Sequence, residues 1–221
     1  MGLTAAERKE YAKTVPLIWT MEHVRNERGQ PFDFQSHRYQ VEPINDLHDE
    51  IVIIKGSQVG MTTITVPKVL FLCDTRPFVA IYTFPTAGMV NNFSKMRFGP
   101  MIRNSAYLKA KLTDVDTAQT KKIGDSSIYF GGTFTEGQAI STPSDLNVHD
   151  ELDFSKENVR ETYSSRLSHS QYRMTWMFST PTIPEWGIHA AYLGSDQRQW
   201  HVKCVHCGHW QTVDFFKKHL G

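Results

Sequence analysis

The run Ile51-Val52-Ile53-Ile54, closed by Lys55-Gly56-Ser57-Gln58, constrains this chain more than any other stretch. A short β-branched run with no polar residue in it reads as a buried strand. The glycine after it opens a loop. Beyond that loop, Thr62–Leu72 has helical apolar spacing, with Pro67 expected to kink it. Phe78–Thr83, Ser127–Phe130, Leu146–His149 and Arg173–Ser179 read as further strands, stopped by turn residues such as Pro85, Gly131-Gly132 and Pro181. Helical patterns cover Ala5–Met21, Ala87–Arg103 (interrupted at Gly99-Pro100) and Val159–Leu167. Strands spaced by helix-length connections predict an α/β fold, a mostly parallel central sheet flanked by helices.

Composition narrows the class. The 221 residues are 40% hydrophobic and 21% charged, as in an ordinary globular chain, and are enough to bury a sizeable core. Apolar runs such as Ile51–Ile54 and Val69–Cys73 are short, far from the roughly 18 residues of a membrane span. The N-terminus is charged where a secretory signal is apolar, and Ala6 stands where myristoylation needs Ser or Thr. A net charge of +1 gives no electrostatic footprint for nucleic acid. The cysteines are Cys73, expected as a buried small hydrophobe, and the pair Cys204 and Cys207. That usage points to a reducing compartment and metal binding, not to a disulfide scaffold.

Lys55-Gly56-Ser57-Gln58-Val59-Gly60-Met61-Thr62 stands where backbone N–H groups and a helix N-terminus make an anion cradle. It departs twice from G-x-x-x-x-G-K-[ST]: Lys55 replaces the first glycine and Met61 the lysine. The chemistry is kept if the Lys55 ammonium folds back over the β/γ-phosphates and Thr62 offers its hydroxyl to Mg²⁺, with Thr63 as the fallback. An ordinary strand–turn–helix junction would carry the same glycines.

Asp150 and Glu151 close the strand predicted over Leu146–His149. Phosphoryl transfer to water needs a carboxylate for Mg²⁺, the role read for Asp150, and a base for the water, the role read for Glu151. A solvated acidic turn made by Asp150, Glu151 and Asp153 is the plain alternative. Asn147 and His149 interrupt the apolar run that a strand buried on both faces should show.

Taken in order with Ser179-Thr180-Pro181-Thr182 after the last strand and Cys204-Val205-His206-Cys207-Gly208 near the C-terminus, these segments resemble the lambda-like large terminase subunits of tailed phages. The order is a deviant Walker A with an early lysine, Walker B, coupling motif and C-x-x-C-G, and it covers about residues 30–215.

The resemblance implies an ASCE-type P-loop ATPase, with the Ser179 strand between the phosphate-loop strand and the Asp150 strand. Ser179 and Thr180 would then sense the γ-phosphate. It further implies an adenine-binding element, for which Tyr39-Gln40 is the best local candidate, with Phe32 and Phe34 as stacking or core residues. It also implies an arginine stabilising the transferred phosphoryl group, Arg166 first and Arg103 second. In such proteins ATP and Mg²⁺ drive double-stranded DNA through a portal protein into a procapsid in the infected host's cytoplasm. The small subunit assists, and the working form is a ring of subunits, with an isolated domain monomeric. The expected organisation is residues 1–45 as a helical, adenine-proximal segment, 46–195 as the ATPase core and 196–221 as the start of a zinc-ribbon-like region. Cys204 and Cys207 would be half of a Zn²⁺ site, with His201, His206 and His209 nearby. The family's metal-dependent nuclease domain has no counterpart in these residues, so the chain is expected to be a fragment.

Two other readings remain open from sequence. A superfamily-2 helicase shares the Asp-Glu pair but carries its lysine beside the second glycine. A zinc-ribbon nucleic-acid adaptor on an inactive nucleotide fold accounts for the tail and not for the loop.

Overall fold

The computed structural model describes residues 3–134, 141–212 and 215–216. Nine strands are described: β1 (Glu50–Ile54), β2 (Val79–Phe84), β3 (Leu112–Asp116), β4 (Thr120–Ile123), β5 (Ser126–Gly132), β6 (Leu146–Asp150), β7 (Met174–Ser179), β8 (Val202–Lys203) and β9 (Trp210–Gln211). The helices are α1 (Ala5–Tyr11), α2 (Pro16–His23), α3 (Val41–Asn45), α4 (Met61–Thr75), α5 (Ala87–Phe93), α6 (Gly99–Arg103), α7 (Ala106–Lys109), α8 (Glu157–Ser164) and α9 (Gly187–Leu193).

Seven strands form one sheet in the order β1-β7-β6-β2-β5-β4-β3. The first five run parallel, and β4 and β3 extend the sheet as an antiparallel hairpin. β7 lies between β1 and β6, in register Ile54↔Ser179 and Asp150↔Phe178. The exposed strand β3 and the short strand β4 lack the long apolar runs that announce the others. The predicted helix over Ala5–Met21 is two helices, because Pro16 starts a new one at its first turn.

Helix α4 is buried on nearly every side, from Ile64 to Cys73. It lies between the sheet and α2, whose Trp19 belongs to the same core as Val69, Phe71 and Trp176. That enclosure explains why the helix runs on through Pro67, a residue costing about 3 kcal/mol inside a free helix. Asp74 at its far end ties three elements together, accepting from Trp19 Nε1 at 3.0 Å, the Tyr107 hydroxyl at 2.8 Å and Lys111 Nζ. Ala12, Trp19 and Val24 therefore share the core of the sheet. Cys73 is buried, and burial pushes its thiol pKa up, as for a small inert hydrophobe.

Ala87–Arg103 is helical without a break at Gly99-Pro100. A π-helical turn over Ser94–Phe98 takes up the proline, with the Gly99 N–H reaching back to the Ser94 carbonyl.

Asn147 and His149, the polar intruders in β6, are completely enclosed and partnered. Asn147 donates to the Tyr163 carbonyl at 2.8 Å and accepts from Ser144 Oγ at 2.8 Å. His149 Nδ1 lies 2.7 Å from Thr83 Oγ1. Satisfied in this way, they tolerate a strand covered on both faces.

Candidate active site at the carboxyl edge of the sheet

β1, β7 and β6 end side by side, which brings their last residues to one edge, where parallel α/β sheets place their ligands. Lys55 follows β1, and its N–H bonds the Ser179 carbonyl at 2.9 Å. With one strand between them, β1 and β6 stand roughly 10 Å apart. The Lys55 side chain bridges that gap: Nζ lies 2.6 Å from Glu151 Oε1 and 3.4 Å from Asp150 Oδ1. Lys55 is 8% exposed, so this cation faces the two carboxylates and not bulk water.

The phosphate loop crosses between them. Ser57 and Gln58 are exposed at its crown, and Gln58 has φ +61°. Gly60 has φ +78°, and a Cβ there would stand 2.6 Å from Gln40 Nε2, so both backbone and space demand glycine. Gly60 caps α4, whose first residue Met61 is buried where an exposed lysine would stand in the usual motif. Thr62 Oγ1 donates to Asp150 Oδ2 at 2.7 Å, while Thr63 shows no such link. Asp150 is enclosed and Glu151 only part-buried, so the acidic pair is no solvated turn. Glu151 has φ +57°, a strained setting for a non-glycine residue.

Tyr39 and Gln40 reach the loop in a manner the sequence did not suggest. The Tyr39 hydroxyl and Gln40 Nε2 both donate to the Val59 carbonyl, each at 2.9 Å, bracing the loop from outside. Phe34 is core, packed with Ile44, Met61 and Ile64, and Phe32 stacks beside it. Ser179 is buried; its hydroxyl accepts from the Asp153 N–H at 3.2 Å and donates to the Thr180 carbonyl at 3.1 Å. It thus faces the Walker B loop, with half-buried Thr180 next in line.

Neither expected arginine reaches the site of its own chain. The Arg166 carbonyl bonds the Ser144 N–H at 3.0 Å, before the start of β6. Six residues at about 3.3 Å each put roughly 20 Å between that point and Asp150, beyond any arginine's reach. Arg103 pairs with Asp116 at 3.8 Å, on the far edge strand β3. The resemblance that implied an arginine carried no information about which end of the sheet each candidate occupies.

Two residues that the sequence did not single out, Tyr82 and Arg97, are found here with Asp153, named before only as part of an acidic turn. The Tyr82 hydroxyl donates to Asp150 Oδ2 at 2.9 Å; burial first, then Asp150, pushes the phenol's pKa well above its usual value. Arg97, exposed on the π-helical turn, is near enough for its charge to oppose that shift. Asp153 accepts from the Ile188 N–H at 2.7 Å and from Thr182 N and Oγ1 at 2.8 and 2.9 Å. It thereby ties the loop after Glu151 to the start of α9. Only the π-turn had a sequence signal, the Gly99-Pro100 pair within a helical pattern.

Near the C-terminus, β8 and β9 form a small hairpin with Cys204 and Cys207 in its turn. The Cys204 N–H bonds the His209 carbonyl at 2.8 Å, and the Gly208 N–H bonds the Cys204 carbonyl at 3.0 Å. Backbone N–H groups of Cys207 and His206 lower the Cys204 thiol pKa. Among the described residues no group of three or more His, Cys, Asp or Glu side chains is placed to hold a metal. Residues 213–214 and 217–221 of the expected ribbon region lie outside the described residues.

A parallel sheet with the phosphate-loop strand, a central Ser179 strand and the Asp150 strand in that order defines the ASCE class of P-loop fold. Residues 28–220 match the family model described as phage terminase large subunit gpA, ATPase domain, and the chain belongs to that family.

Solved structures agree on the fold. The large terminase of bacteriophage HK97 superposes with a TM-score of 0.70 at 8% identity, over 82% of this chain and 40% of that one. The Thermus phage P74-26 large terminase ATPase domain gives 0.53 at 16% identity, over 84% and 78%. The large terminase of a thermophilic bacteriophage, solved in complex with ATP-gamma-S, gives 0.51 at 18% identity, over 69% and 37%. This chain thus spans about two fifths of the HK97 protein it matches. Comparison with curated protein sequences gave no match. The helicase and adaptor readings gain nothing from these relatives.

Proposed function

We propose that this chain is the ATP-hydrolysing unit of a DNA-packaging motor. The observation that carries the reading is the convergence of Lys55, Thr62, Asp150 and Glu151 at the edge where β1 and β6 end. The loop amides and the Lys55 ammonium bind the triphosphate, and Lys55 offsets charge on the β- and γ-phosphoryl oxygens. Glu151 takes the proton of a water that attacks the γ-phosphorus as the bond to the ADP oxygen breaks, giving ADP and inorganic phosphate. The 2.6 Å Lys55–Glu151 contact fixes the base beside the phosphate cation before substrate is engaged.

A carboxylate and a hydroxyl joined at 2.7 Å offer the hard oxygens that Mg²⁺ takes, so Asp150 and Thr62 fit that ion. Bound there, Mg²⁺ supplies charge neutralisation on the phosphate oxygens. Arg97, whose charge is felt at Tyr82, takes the place of Arg166 as the candidate cation for the transferring group within one chain. Tyr39 and Gln40 set the loop's shape through the Val59 carbonyl and remain the candidate adenine-binding pair. Ser179 and Thr180 link hydrolysis to movement through Asp153.

In the whole protein this cycle would move double-stranded DNA through a portal protein with a small subunit, in a ring of copies in the host cytoplasm. The Cys204–Cys207 knuckle supplies half of a structural Zn²⁺ site, two of the four ligands such a site needs.

The test is Mg²⁺-dependent ATP hydrolysis by the wild-type chain beside Lys55→Ala, with nucleotide binding measured by calorimetry. Loss of both binding and turnover in the variant is expected. Unchanged activity places the phosphate site elsewhere and overturns the reading.

A further inference from the structure

Asp150 is held from two sides. Its Oδ2 accepts from Thr62 Oγ1 at 2.7 Å and from the Tyr82 hydroxyl at 2.9 Å. Its Oδ1 takes the Glu151 N–H at 3.1 Å and faces the Lys55 ammonium at 3.4 Å. Lys55 and Glu151 sit in loops and Thr62 in the first turn of α4, the segments read as engaging the nucleotide. Tyr82 is in none of them. It projects from the middle of β2, in register with Val148 of β6, and is completely buried. Its ring lies 4.5 Å from that of Phe93 and stacks 5.4 Å from that of Phe84. A ring packed in this way has no alternative rotamer, so its hydroxyl is a donor fixed in space.

We propose that Tyr82 is a positioning residue for the divalent cation: its hydroxyl sets the rotamer of Asp150, the carboxylate read as a Mg²⁺ ligand. The inference rests on the metal role given to Asp150 and Thr62 above. A hydrogen bond from a neutral donor to a carboxylate in a dry site is stronger and more directional than one in water. Without it, Oδ2 keeps only the Thr62 hydroxyl, while Oδ1 still takes the Glu151 N–H and faces the Lys55 ammonium 3.4 Å away. The carboxylate then turns toward that ammonium, and the closer ion pair competes with Mg²⁺ for the same charge.

Tyr82→Phe removes the hydroxyl and keeps the ring. The purified chain is titrated with Mg²⁺ while binding of a fluorescent ATP analogue is followed, with EDTA defining the metal-free affinity. The Mg²⁺ midpoint is expected to rise about tenfold, the scale of one lost charge-assisted hydrogen bond. Metal-free nucleotide affinity is expected to stay the same. Phe84→Leu, which disturbs the same packing without touching Asp150, should lower thermal stability and leave the Mg²⁺ midpoint in place.

An unchanged midpoint in Tyr82→Phe overturns the proposal, whether or not its melting temperature falls; so does an equal shift in Phe84→Leu. A wild-type chain whose nucleotide binding ignores Mg²⁺ would instead remove the metal role of Asp150 itself, a distinct failure.

Discussion

Lys55 Nζ and Glu151 Oε1, 96 positions apart in the chain, meet at 2.6 Å across the end of the strand between them. The phosphate-binding cation and the base of the proposed reaction are therefore one ion pair. Nucleotide phosphates must draw Lys55 partly away from Glu151, which frees the carboxylate to hold a water.

That competition shapes the outcome for Glu151→Gln. The amide cannot take the proton, so turnover should fall by about 10²–10⁴-fold, the usual contribution of a general base. The Lys55 ammonium loses the nearer of its two charged partners, so nucleotide affinity should hold or tighten. Single-turnover hydrolysis and calorimetry on the same protein read the two effects separately. Robust turnover would remove Glu151 from the mechanism.

Arg97 and Arg166 make a matched pair of substitutions. Arg97→Ala should lower kcat by about 10²-fold with little change in KM, as expected for a cation acting on transition-state charge. Arg166→Ala should leave kcat of the isolated chain unaltered, since its backbone lies at the other end of β6. A loss of activity on Arg166→Ala alone would refute this assignment.

Asp153 and Gly187 are locked together. A Cβ at Gly187 would stand 2.4 Å from Asp153 Oδ1, and the residue has φ +56°. Gly187→Ala is expected to cost roughly 1–3 kcal/mol through that strain. Asp153→Ala strands two backbone N–H groups, of Thr182 and Ile188, and is expected to cost about 2–4 kcal/mol. Because removing the carboxylate also removes the clash, the double variant should lose less than the sum in urea unfolding. Strict additivity would show that the two do not act through one contact.

Stability should rise with pH in two windows. Burial pushes His149 from 6.5 down to about 3, so between those values only the unfolded chain takes the proton and acid destabilises the fold. Burial pushes Lys68 from 10.5 down to about 7, although the Trp176 ring 4.1 Å from its ammonium favours the charged form. Between about 7 and 10.5 the unfolded chain again holds the extra proton, so raising pH through that window stabilises. Each slope is at most about 1.4 kcal/mol per pH unit. Urea unfolding from about pH 5 to 9 should show both slopes. His149→Gln should flatten the acid one and Lys68→Met the alkaline one.

The sequence by itself determined the α/β class, five of the sheet's strands and the four residues at the centre of the site. β-branched runs and an ordered set of short motifs are local signals, and each of these features is written locally. The sequence did not reveal the edge strand Leu112–Asp116, whose exposed faces need no apolar pattern, nor its neighbour Thr120–Ile123, four residues with two lysines. Nor did it disclose that Asn147 and His149 are enclosed, since their partners Ser144, Tyr163 and Thr83 come from neighbouring segments.

Tertiary structure alone decided that Arg166 leaves from the other end of β6, that Tyr39 and Gln40 brace the phosphate loop, and that Tyr82 and Asp153 anchor the acidic turn. Each of these depends on which end of which strand a side chain leaves from. That end is fixed by strand order and crossover direction, and neither is encoded in the spacing of residues along the chain.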